Sequence, residues 1–232
     1  MSTPRLLDHI VIAGPDLDEL VRWFAQRTGV TAAPGGVHPT GTANALVALT
    51  VDGERGPQYI ELIGPDPDRS QPGLPTTFGI DGLTAPSVQT YAVHPEDIDR
   101  TVADARERGY DAGDVHDLSR RKPDGELLEW RLTRGEGRRL DVPFLIDWGT
   151  TQQPGLSDIP AIELVAFERV GPDPAGVLQI VNALALGDGG GADVVPGSRS
   201  GYRLRLRAAG GKVVGLGVDS AADSAADSAV DA

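Results

Sequence analysis

Hydrophobic positions along this chain switch between two spacings. Residues 6–13 are rich in Leu, Ile and Val and end at Gly14-Pro15, a pattern that predicts a strand. Asp16 then stands as a helix cap, with Glu19 three residues on to complete a capping box. Leu17, Leu20, Val21 and Phe24 follow at i, i+3, i+4 and i+7, one apolar helical stripe, and Gly29 sits where a C-terminal glycine belongs. The same order of strand and helix recurs 80 residues later, with a strand at 87–93, Pro95 for Pro15, a stripe of Ile98, Val102 and Ala105, and Gly109 for Gly29. A weaker third start lies at 161–186, where Gly171-Pro172-Asp173 echoes Gly14-Pro15-Asp16.

Strand-like runs bounded by Gly and Pro follow the first two helices. They fall at about 31–38, 42–50 and 58–64 in the first half, and at about 113–120, 126–133 and 139–148 in the second. Each half therefore reads as βαβββ. The third start ends in a hairpin of YRLRLRA and KVVGLG around Ala209-Gly210-Gly211, so it reads as βαββ. The expected fold class is α+β, with two βαβββ modules over residues 5–150 and a C-terminal βαββ extension over 161–218. Residues 149–160 are the linker. The extension is expected to pack on the core, because its apolar helix face needs cover.

Composition narrows the partners. The 232 residues carry a net charge of −13, a field that repels nucleic-acid phosphates and anionic lipid alike. Part of the excess lies in residues 219–232, DSAADSAADSAVDA, which have no apolar face to bury and are expected to be a disordered acidic tail. The absence of cysteine rules out disulfides, thiolate metal sites and a thiol nucleophile together. The opening MSTPRLLDHIVIAG lacks the pattern of a signal peptide, and no run approaches the roughly 20 apolar residues of a membrane span. Cytoplasmic is the default location. The Gly-rich GDGGGAD at 187–193 follows a helix and lacks Lys, so it reads as a flexible loop rather than a phosphate loop.

Side chains alternate across a strand, which puts Leu7, His9 and Val11 on one face and Ile10 and Ile12 on the other. In the run QYIELIG, Ile60 and Leu62 form the helix-facing pair, while Tyr59, Glu61 and Ile63 point away. His9 and Glu61 then share a face. A glutamate inside an apolar strand is costly unless paired, ligated or wet. His38 follows two glycines and faces either the concavity, as an acid or base, or solvent as a turn residue; Asn44 either joins it or closes a turn. In ELLEWRLT, Leu128, Trp130 and Leu132 share one face and Glu129 and Arg131 the other. Arg131 either enters the concavity as an anion binder or lies on a solvated face beside Glu129.

LDHIVIAGPDLD at 7–18, GGVHPTGTANALVAL at 35–49, YIELIGPD at 59–66, and the segments PDGELLEWRL and VPFLIDWG together resemble glyoxalase-like domain proteins of the vicinal oxygen chelate superfamily. The resemblance covers roughly residues 5–150. It implies a cup-shaped mixed sheet with helices outside and a small-molecule site on the concave face. It also implies a divalent metal (Mg, Mn, Fe, Ni or Zn), with His9, Glu61 and, by the 80-residue offset, Gln89 as ligands. The fourth ligand position falls near Phe144, which cannot bind a metal. No organic cofactor is implied.

Two functions follow from this resemblance. One is a metal-dependent lyase, isomerase or dioxygenase-type enzyme on a small oxygenated substrate, with Glu61 and His38 as catalytic groups and Asn44, Arg131 and Gln89 holding substrate. The other is a metal-free protein that binds or sequesters a drug-like ligand. Two modules in one chain can build a whole cup, so monomer and homodimer both stay open.

Overall fold

A computed structural model describes residues 6–70, 73–122, 125–134, 139–187 and 189–218. The first half runs β1 (Leu7–Ala13), α1 (Leu17–Thr28), β2 (Ala33–Val37), β3 (Thr42–Val51) and β4 (Glu54–Pro65). The second repeats it with β5 (Ser87–Val93), α2 (Ile98–Glu107), β6 (Asp114–Arg121), β7 (Leu127–Arg134) and β8 (Phe144–Asp147). Both helices begin as their sequence dictates. Asp16 accepts a hydrogen bond from the Glu19 amide at 2.8 Å, Asp97 does the same for Arg100 at 2.9 Å, and Gly29 closes α1 in the left-handed region at φ 71°.

The strands order as β1-β4-β3-β2 and β5-β8-β7-β6, so the two halves share one topology. β1 and β5 pair antiparallel between them, and among the described residues β2 touches β6 through the single pair Val37–Arg121. The result is an eight-stranded mixed sheet curved into a cup and closed at that point. Inside lie Val11, Ala13, Leu46, Tyr59, Ile63, Trp130 and Phe144. Outside, Ile10, Ile12, Ile60 and Leu62 pack against Leu20 and Phe24 of α1, in one core with Ile98 and Val102 of α2. Among the described residues no helix is long and apolar enough to cross a membrane.

The third unit comprises β9 (Ala161–Gly171), α3 (Pro174–Ala183), β10 (Asp193–Pro196), β11 (Gly201–Arg207) and β12 (Val213–Gly217). β9 joins the edge of β3 at Ala48–Thr50, just beyond the stretch where β2 pairs with that same edge. The expected βαββ pattern needs correcting here. The extra strand β10 pairs in parallel with β9, giving the order β10-β9-β11-β12. With only Val194 and Val195 as apolar residues, β10 is too short to announce itself by pattern. The unit shares the outer core: Phe167 and Tyr202 meet the Tyr91 ring at centroid distances of 5.3 and 5.8 Å. Buried Arg169 reaches back to the Asp141 carbonyl at 3.1 Å. The acidic tail expected at 219–232 lies outside the described residues.

One strand departs from simple alternation. Leu7 pairs with Val93 and His9 with Ala92, leaving Asp8 as an extra residue in a β-bulge. Leu7 therefore joins Ile10 and Ile12 in the outer core, not His9 and Val11 as alternation suggests.

Candidate functional site

The cup holds a cavity enclosing about 530 Å³ of empty space, its open mouth included. Its floor is polar, with His9, Glu61, Asn44 and Arg120, and its walls are apolar, with Leu118, Trp130, Phe144 and Ile146. Phe78, whose backbone sits in the left-handed region at φ 53°, leans over this wall with its ring 5.7 Å from that of Phe144.

The β1 bulge builds one half of the floor. Asp8 is fully buried, and its Oδ1 lies 2.7 Å from His9 Nδ1. Its Oδ2 accepts from Trp148 Nε1 at 3.0 Å and from Gln153 Nε2 at 2.7 Å, so three donors surround one carboxylate. With Nδ1 held by Asp8, the other ring nitrogen of His9 faces Glu61, with Nε2 3.7 Å from Oε2. The imidazole is clamped between Tyr59, stacked at 4.6 Å, and the Phe144 edge at 5.4 Å.

The other half is a relay of polar groups. Asn44 Nδ2 donates to Glu61 Oε1 at 2.5 Å, and Asn44 Oδ1 accepts from Arg120 Nη1 at 3.3 Å. The carboxylate and the guanidinium thus meet through an amide whose orientation both neighbours fix. Burial pulls the Arg120 guanidinium below its ordinary range, with Tyr59 and Glu61 opposing. Burial also pushes the Tyr59 phenol well up, helped by Asp8 and Glu61. His38 stands at the rim, its Nδ1 2.9 Å from Thr42 Oγ1 and its ring edge-on to Trp130. Burial lowers its pKa; the Glu61 charge works in the opposite direction.

The model of the glyoxalase-like domain matches residues 7–184, most of the chain. This chain belongs to the glyoxalase-like domain family. Its fold compares with that of a hypothetical protein from Staphylococcus aureus at TM-score 0.54 and 14% identity, over 92% of this chain and 86% of that one. A serine-to-threonine variant of Streptomyces coelicolor methylmalonyl-CoA epimerase, solved in complex with 2-nitronate-propionyl-CoA, aligns at 22% identity and TM-score 0.41, over 64% of this chain and 97% of that one. No curated protein sequence matches.

In this glyoxalase-like protein four of the residues singled out from sequence, His9, His38, Asn44 and Glu61, line one cavity. Two others do not. Gln89 falls at an irregularity of β5, where Thr90 pairs with Val11 and Val88 with Ile12, and it does not line the cavity. Arg131 needs correction as a cup residue. Trp130 and Leu132 take the inner face of β7, and Arg131 turns outward to Asp99 of α2 at 2.8 Å and Asp147 at 2.7 Å. The arginine of the cup is Arg120. Sequence reasoning also passed over Asp8. Alternation held the signal for Arg120, since Leu118 and Arg120 share a face of β6; a bulge at Asp8 leaves no such signal.

The donor set does not fit the divalent metal that the resemblance implies. His9 Nδ1 is committed to Asp8, which among the described residues leaves His9 Nε2 and Glu61 as the facing pair. Gln89 is elsewhere, and Phe144 fills the wall beside them. Among the described residues no group of three or more His, Cys, Asp or Glu could hold a metal ion. Zinc asks for three or four protein ligands, and the harder ions for about six oxygens. The positive charge near Glu61 is instead the Arg120 guanidinium, one amide away.

Proposed function

We propose that this glyoxalase-like protein binds a small organic molecule in its cup and does so without a metal. The observation that carries the reading is the floor itself. Asp8, His9, Glu61, Asn44 and Arg120 hold one another in place beneath an apolar wall, and His9 Nε2 with Glu61 makes a facing pair, short of the three or four protein ligands of a zinc site.

A second reading has its own support, namely acid–base chemistry of the isomerase or lyase type. An imidazole that donates Nδ1–H to a buried carboxylate keeps its Nε2 lone pair aimed into the cavity. That nitrogen can take a proton from a bound ligand and pass it to the Glu61 carboxylate 3.7 Å away, which returns it to the ligand. Asp8 orients and Asn44 fixes; neither needs to touch the ligand.

The test is metal quantification on protein purified without chelators and without a metal-binding tag, together with thermal melting in the presence of Mg, Mn, Fe, Ni or Zn salts. The expected result is metal far below one equivalent and a melting temperature that none of the ions raises. Near-stoichiometric metal that disappears in the His9→Ala, Glu61→Ala double variant overturns the reading.

A further inference from the structure

Building on the reading of the cup as a small-molecule site, we propose that its ligand is a monocarboxylate whose head group binds Arg120. The two most buried arginines among the described residues make the contrast. Arg169, 4% exposed, spends its donors on the Asp141 carbonyl at 3.1 Å, the Gly201 carbonyl at 3.1 Å and the Asp141 carboxylate at 3.3 Å. Arg120 is equally buried, yet among the described residues its guanidinium makes one hydrogen bond, from Nη1 to Asn44 at 3.3 Å, and no carboxylate comes within 4.0 Å. A guanidinium carries five N–H donors in a planar fork, so most of the fork is unspent inside a cavity that it lines.

Desolvating a cation without a counter-ion is costly, and an arriving anion removes that cost. Glu61 does not play this part within the protein, because Asn44 stands between the two. A planar carboxylate matches the fork with two parallel hydrogen bonds.

The surroundings narrow the class further. Glu61 on the floor, with buried Asp8 behind His9, repels a second negative charge, which favours a monoanion over phosphate or a dicarboxylate. Leu118, Trp130, Phe144 and Ile146 make the rest of the space apolar, which favours an aliphatic or aromatic body. The chain also clears a place for this arginine. A Cβ on Gly35 would stand 2.8 Å from Arg120 Nη1 and run into the Asn44 amide, and one on Gly36 would meet the backbone of Arg121.

The experiment is an equilibrium titration of the full chain with acetate, butyrate and benzoate, each beside its amide as an uncharged isostere. Binding is followed by tryptophan fluorescence, since Trp130 and Trp148 line the cavity. The expected result is a carboxylate preference over the amide of at least tenfold, which Arg120→Gln abolishes. Arg120→Lys retains part of the preference and Arg131→Gln all of it, and inorganic phosphate fails to compete.

Amides binding as well as acids, or a preference that survives Arg120→Gln, overturns the carboxylate assignment and leaves the small-molecule site standing. Failure of both series to bind defeats the site reading itself. Should Arg120→Gln not fold, the acid-to-amide ratio of the unaltered chain and of Arg120→Lys decides.

Discussion

Asp8 is a carboxylate with no exposed surface, and it is tolerable there because a histidine, a tryptophan and a glutamine converge on it. Truncating it strands all three partners. Asp8→Ala is expected to lower unfolding stability by about 2–4 kcal/mol in urea denaturation, since each hydrogen bond to a charged group contributes about 1.5–3 kcal/mol. Asp8→Asn keeps the shape and tests the orienting role separately. ¹⁵N shifts of the His9 ring should report a proton on Nδ1 in the unaltered chain, and that preference should be gone in the variant. His38 gives a pH signature. Burial lowers its pKa below 6.5, so folding favours the neutral ring. The stability this contributes is complete above pH 6.5 and is lost as pH falls from 6.5 toward the lower folded value. His38→Gln should flatten that part of the melting-temperature profile, while the fall near pH 4 and below, where Asp141 and Asp147 lose their arginine partners, stays in place. His9 beside Glu61 was legible in the sequence because both lie on regular strand alternation. Asp8 was not, because an inserted residue reverses the face of everything before it.

Elements explain where such reversals arise. The two strand-helix starts were legible because caps, stripes and closing glycines agree with one another, and α1 and α2 form at those signals. Strand faces in the second half were harder to assign. β7 alternates Leu128, Trp130 and Leu132 with Glu129 and Arg131, and only its packing partner decides which set turns inward; Arg131 finds Asp99 and Asp147, and Trp130 takes the cup. The run at 139–148 shrinks to the four residues of β8, with Arg139 and Asp141 paired before it begins. The glycine pair of β2 stands out in the sequence only as what precedes His38, and its reason lies on other strands. Gly35→Ala should force apart Asn44 and Arg120, and the expected cost is about 1–3 kcal/mol, the usual penalty for overpacking, measured by chemical denaturation. Weaker binding of the carboxylate probes should accompany it.

At the scale of the molecule, three repeats of strand and helix share a single outer core. Phe167 and Tyr202 of the third unit press on Tyr91 of the second, and Val177 and Val181 of α3 belong to the same cluster as Phe24 of α1. We expect calorimetry to record one cooperative transition. Two resolved transitions, or a stable fragment ending near residue 150 after limited proteolysis, would show that the third unit folds apart. Phe167→Ala should lower the stability of the whole by about 3–5 kcal/mol. The closure of the cup is uneven, for among the described residues β2 and β6 meet at the lone pair Val37–Arg121 while every other junction of the ring runs over two or more residues. A barrel with one loose stave flexes there first. Arg120 sits next to that stave and His38 follows Val37, so an opening of this wall should loosen the arginine and the rim together and admit a guest sideways while the seven tighter joints stay shut.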